Sequence, residues 1–214
     1  LLFSATDGEN GSELWRSDGT EEGTVMVKDI HETGSSSIDE ITAVGDVAFF
    51  RANDGLRGYE LWKSDGTADG TMLVKDIQTP DNGDPYQLVA IGDRLYFNAE
   101  DDSHGYELWI SDGTRLGTRM IKDICPGSCS SDATDYVAVG SLVYFSADDG
   151  QHGQELWRTD GTEAGTTMVA EIVVGENGSE VYGLAYAADI LFFRAADTLH
   201  GSELWALTPF DKLY

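Results

Sequence analysis

Hydrophobic and polar positions alternate along this chain in short runs, and no stretch holds a capped 3.6-residue period. The pattern predicts strands throughout. Residues 86–91, Tyr-Gln-Leu-Val-Ala-Ile, read as one strand, and Gly92-Asp93 as a hairpin turn. Residues 94–99 read as a second strand, rich in aromatic and aliphatic side chains. After a polar loop, residues 106–111 form a third, with Glu107 and Trp109 on one face and Leu108 on the other. Ser111-Asp112-Gly113-Thr114 turns the chain, and residues 118–123 form a fourth.

This unit recurs. Glu-Leu-Trp stands at Glu13, Glu60, Glu107, Glu155 and Glu203, spaced by 47, 47, 48 and 48 residues. Around it the chain repeats Phe-x-Ala-x-Asp-x-x-x-Gly-x-Glu-Leu-Trp, and all five tryptophans, Trp15, Trp62, Trp109, Trp157 and Trp205, belong to it. Motif copies cover residues 13–24, 60–71, 107–118, 155–166 and 203–207 of one repeat domain, 1–214, read as part of a longer array. Four antiparallel strands in about 47 residues is the arithmetic of a β-propeller blade. The expected fold is all-β and propeller-like, with incomplete first and last blades and 3, 4, 4, 4 and 3 strands. Pro209 argues against a regular strand after the fifth motif. The polar segments 31–39, 78–85, 125–135 and 173–180, variable between copies, are expected as surface connections.

Charge narrows the partners. Thirteen Lys and Arg against 39 Asp and Glu give a net charge of −26. Such a chain repels phosphate, so nucleic acid is an unsuitable partner. No apolar run approaches the roughly 18 residues of a membrane span. Cys125-Pro126-Gly127-Ser128-Cys129 suits a small disulfide, since a Pro-Gly turn can bring the two Cα atoms within bonding range. That bond would place the chain in an oxidising compartment.

With these residues set out, Glu13-Leu14-Trp15-Arg16-Ser17-Asp18-Gly19-Thr20 and its copies resemble the ELWxxDGT repeat proteins. The resemblance covers essentially the whole chain. Only the fifth copy departs, reading Ala206-Leu207-Thr208 after its Trp. It implies a secreted or surface-attached propeller-like module, and it carries over no catalytic residue.

Candidate chemistry is repeated rather than unique. Each motif Trp is expected to pack between adjacent repeats. Each motif Glu, if buried, needs a partner: Lys28, Lys75 and Lys122 are candidates, but the fourth copy has Ala170 there, which favours backbone amides. Asp18, Asp65, Asp112 and Asp160 read as turn-capping residues. The second-to-third-strand loops hold Asp7, Asp54, Asp101, Asp102, His104, Asp149, His152, Asp197 and His200, the candidate ligand-binding face. Asp101, Asp102, Asp148 and Asp149 are weak Ca²⁺ candidates without a recognised calcium spacing; the alternative is that each loop Asp caps its own loop. A zinc ring of His104, His152 and His200 is disfavoured because Asn10 and Arg57 occupy the same position in two copies. No cofactor is required. Asn10 and Asn177 begin glycosylation sequons. No Ser-His-Asp order, phosphate-binding glycine loop or HExxH occurs. The expected function is non-catalytic extracellular recognition or adhesion toward a glycan or an extracellular protein. The rivals are a propeller enzyme with a site at a central opening and a purely structural scaffold.

Overall fold

The structure is a computed structural model and describes residues 1–208. Among them are eighteen strands and no helix. Pro209 lies outside the described residues.

The strands form five antiparallel sheets, each in sequence order. The first sheet holds β1 (Leu2–Thr6), β2 (Ser12–Arg16) and β3 (Val25–Lys28). The second holds β4 (Asp39–Val44), β5 (Val47–Asn53), β6 (Tyr59–Ser64) and β7 (Met72–Lys75). The third holds β8 (Tyr86–Ile91), β9 (Arg94–Ala99), β10 (Glu107–Ser111) and β11 (Arg119–Met120). In the fourth are β12 (Thr134–Val139), β13 (Leu142–Asp148), β14 (Gln154–Thr159) and β15 (Thr167–Ala170). The fifth ends the series with β16 (Tyr182–Ala187), β17 (Ile190–Asp197) and β18 (Gly201–Leu207). Counts of 3, 4, 4, 4 and 3 strands are those the sequence pattern predicts.

The third repeat departs from the pattern at its fourth strand, which pairs over two residues instead of 118–123. Beyond it the Ile121 amide still donates to Leu108 O at 2.9 Å, and the amides of Ile124 and Cys125 turn to the Glu107 carboxylate.

Each first strand carries a bulge, with its register shifting after a residue in the left-handed region. These residues are Glu40 (φ 56°), Gln87 (φ 52°), Asp135 (φ 59°) and Gly183 (φ 68°). The motif Trp and the second-strand Phe face each other across the ladder, as Phe3 with Trp15, Phe50 with Trp62, Phe145 with Trp157 and Phe193 with Trp205. The fourth strand places Met26 opposite Trp15 and Met168 opposite Trp157, which explains the recurrence of Met there.

The described chain divides into two compact units, Leu1–Asp102 with Trp109–Arg119, and Ser103–Leu108 with the residues from Met120 onward. In the first, Leu14 of one repeat packs with Phe50, Ala52 and Trp62 of the next. In the second, Leu156 packs with Leu191, Phe193 and Ala195 of the repeat after it. Burial of each such Phe or Leu contributes about 1.5–3 kcal/mol, so much of each core lies between repeats.

A polar latch accompanies this packing. Lys28 Nζ donates to Thr71 O at 2.7 Å, Lys75 Nζ to Thr118 O at 2.8 Å, and Lys122 Nζ to Thr166 O at 3.0 Å. The lysines thus serve the following repeat and not the motif Glu. Ala170 replaces the Lys where the following copy lacks Asp-Gly-Thr.

Candidate functional site

The motif Glu is the anchor of each connection. Glu13, Glu60, Glu107 and Glu155 are wholly buried. Glu13 accepts the amides of Ile30 at 2.8 Å and Ser36 at 2.9 Å. Glu60 accepts those of Ile77 at 2.9 Å and Gly83 at 3.0 Å, and Glu107 those of Ile124 at 3.1 Å and Cys125 at 2.9 Å. Glu155 takes Ile172 and Val173, each at 3.2 Å, with the Ser179 hydroxyl. Backbone amides are therefore the common partner. Burial outweighs those bonds and pushes the Glu60 and Glu107 carboxyls up to about 7, and it raises Glu155 as well. These groups fix loops.

The Asp-Gly-Thr turns are equally structural. Asp18, Asp65, Asp112 and Asp160 each accept both the amide and the hydroxyl of the Thr two residues on. The Thr hydroxyl and amide bonds hold each of these aspartates below the ordinary carboxylate range.

The second-to-third-strand loops use their Asp in a related way. Asp7 Oδ1 accepts the amides of Glu9 and Asn10, Asp54 those of Leu56 and Arg57, Asp149 those of Gln151 and His152, and Asp197 those of Leu199 and His200. The other carboxylate oxygen binds the side chain three residues on: Asn10, Arg57, His152 or His200. In two copies the side chain at this position also meets an acid just beyond the fourth strand. Arg57 Nε lies 3.6 Å from Asp76, and His104 Nε2 lies 3.8 Å from Asp123. His152 is raised chiefly by its Asp149 hydrogen bond, with Glu171 adding to it. The shared His register therefore has a local cause in part: His152 and His200 each bond the Asp that caps their own loop. Sequence reasoning missed the second acid, although Asp76, Asp123 and Glu171 stand at one offset from their motifs.

Metal candidates separate along the same lines. Asp149 spends its oxygens on its own loop, and Asp148 Oδ1 accepts the Gly150 amide at 2.7 Å. Asp101 and Asp102 follow β9, with Asp102 exposed. Among the described residues, no three His, Cys, Asp or Glu side chains gather in a metal-sized group.

One loop borders a pocket. In the first unit, a cavity of about 310 Å³ is lined by Ile30, Glu32, Thr33, Asp54, Leu56 and Trp62. Trp62 is almost buried beneath it, whereas Leu56 is 80% exposed. His31 stands against Gly55, whose positive φ of 79° lets the loop approach without a side chain. In the second unit the fourth loop rests on the preceding connection, with Gly150 against the sulfurs of Cys125 and Cys129. Those cysteines are disulfide-bonded, with Cα atoms 5.2 Å apart.

No family model matches the chain, and no curated protein matches it. Among solved structures it is similar to a puromycin hydrolase mutant complexed with PGG, with TM-score 0.53 and 14% identity over 96% of this chain and 35% of that one. It is also similar to a structure from a study of two prolyl endopeptidases, with TM-score 0.51 and 14% identity over 96% of this chain and 32% of that one. The chain spans about a third of the length of each. At this identity the likeness extends to the fold alone.

Proposed function

We propose that the five sheets are propeller-like blades of an extracellular, non-catalytic recognition module, and that ligands meet the second-to-third-strand loops. The observation that carries this reading is the pocket at the second loop. There an exposed Leu56 and a covered Trp62 stand beside the Asp54–Arg57 pair. An apolar floor with pinned polar groups at its edge suits a sugar ring or a polar protein loop. The loop Asp holds the scaffold, and the residue three positions on supplies the variable contact: Asn10, Arg57, His104, His152 or His200. The Cys125–Cys129 disulfide supports an oxidising compartment, and the resemblance to ELWxxDGT proteins agrees with a cell surface. The hydrolytic activity named for the similar structures belongs to those proteins.

The test is a glycan and surface-protein array probed with the wild-type chain and with Leu56→Asp. The expected result is at least one ligand whose signal drops about tenfold or more in the variant while the melting temperature holds. A ligand bound equally by both proteins contradicts the assignment of this pocket.

A further inference from the structure

The Asp-Gly-Thr turn is built alike in four repeats. The hydroxyl before its Asp bonds the Thr that closes the turn, as Ser17 with Thr24, Ser64 with Thr71, Ser111 with Thr118 and Thr159 with Thr166. The Thr after its Gly accepts the amide of a second Gly three residues on. Those bonds use motif residues and backbone alone. They place no demand on the two residues at the tip, nor on the first residue of the fourth strand.

The third repeat fills these positions differently from the others. Its tip is Arg115-Leu116, where the first, second and fourth copies have Glu21-Glu22, Ala68-Asp69 and Glu163-Ala164. Its fourth strand opens on Arg119, against Val25, Met72 and Thr167. Its second strand opens on Arg94, against Val47, Leu142 and Ile190. Three arginines therefore stand in one repeat of an acidic chain, where the other copies carry acidic or uncharged residues.

These cations lie together within the first unit. Arg94 Nη1 reaches the turn, 3.2 Å from Asp112 Oδ2. Lys63 Nζ donates to Gly113 O at 2.7 Å, and Lys75 Nζ donates to Thr118 O, one residue before Arg119. Burial first, and the charge of Arg115 second, lower the pKa of Lys75. Like charges held this close are unfavourable until an anion approaches them. Arg115 and Arg119 are exposed, and Leu116 at the tip is 93% exposed.

We propose that this cationic turn is a docking surface for a short acidic segment of a partner protein, one that carries an apolar side chain between its carboxylates. Arg115 and Arg119 would take carboxylates in forked pairs, and the apolar side chain would cover Leu116. Leu116 decides for a protein, because a sulfated sugar chain offers it no apolar counterpart. The surrounding charge decides for a short segment. Asp65 and Asp69 on the second repeat's turn, and the net charge of −26, repel any polyanion that runs beyond the patch. Arginine beside an exposed apolar residue is also the composition that protein interfaces favour. This surface shares no residue with the pocket at the second loop.

The probe is a fluorescein-labelled peptide, Gly-Glu-Asp-Leu-Glu-Asp-Gly, titrated by anisotropy at low ionic strength. The test variant is Arg115→Glu with Leu116→Glu, its melting temperature checked. It writes the first copy's Glu21-Glu22 into the third turn, a pair this turn already accommodates. Wild-type binding should saturate below about millimolar peptide and weaken about tenfold or more in the variant and in about 0.3 M salt. A peptide with Gly in place of Leu should bind about threefold or more weakly than the probe. No saturation, or binding that is indifferent to the variant or to the Gly peptide, overturns the proposal. So does dextran sulfate binding in place of the peptide, which would make the turn a polyanion site. Self-association of the wild-type chain in sedimentation, lost in the variant, would assign the turn to a second copy and equally overturn it.

Discussion

Trp109 shows what a single motif residue contributes. Its indole N–H donates to Ala99 O at 3.0 Å, its ring lies 6.3 Å from that of Phe97, and Lys75 Nζ stands 5.0 Å from its centroid. Trp109→Ala should destabilise by about 3–5 kcal/mol, read by urea denaturation. Unchanged stability with lost binding would make it a ligand platform instead. The motif Glu gives a second prediction at this scale. Glu60 and Glu107 sit at about 7 in the fold against an ordinary 4.5. Between those values the fold holds protons the unfolded chain has lost. This contribution is full below about pH 4.5 and disappears as pH rises through about 7. His152, also raised, acts in the same direction. Denaturation at about pH 5 and about pH 8 should show lower stability at the higher pH. Glu60→Gln should flatten that slope; an unaltered slope would mean that other groups set it. The role of the Glu was legible in part: Ala170 in place of a Lys argued for backbone amides, and amides are its partners. The raised pKa of Glu60 and Glu107 comes from desolvation, which no spacing of residues encodes.

At the level of elements, the Lys latch joins consecutive repeats inside each unit. Lys75→Met should cost about 1–2 kcal/mol, below the usual range for a bond from a charged donor because the site is half-buried. Ala170→Lys should change stability by less than about 0.5 kcal/mol, as substitutions that form no contact do. The copy after Ala170 lacks Asp-Gly-Thr. The Cys125–Cys129 bond closes a very short loop, so replacing both cysteines by Ala should cost less than the roughly 3 kcal/mol of a 15-residue loop. Strand positions were readable because period-two alternation and Gly-Asp turns mark them directly. The first-strand bulges were not, since Glu40, Gln87 and Asp135 look like ordinary polar positions in an edge strand. The short β11 was also hidden, because residues 118–123 carry the same alternation as the other copies.

For the molecule as a whole, the five-copy motif made the all-β, five-sheet architecture legible, and the loop aspartates marked the candidate ligand-binding loops. What the repeat concealed is how those loops differ in use. Asp7, Asp54, Asp149 and Asp197 are consumed by local bonds, while the side chains they hold are still 37% to 67% exposed in Arg57, His152 and His200. If recognition passes through these displayed residues, binding does not depend on a shared cation. The most direct measurement is ligand binding by the wild-type chain and by Leu56→Asp with Arg57→Ala, each in EDTA and in millimolar Ca²⁺ at fixed ionic strength. The account predicts wild-type binding that is equal in both solutions and about tenfold or more weaker in the variant, with both proteins melting together. Wild-type binding that disappears in EDTA, or variant binding that equals wild type, would contradict it.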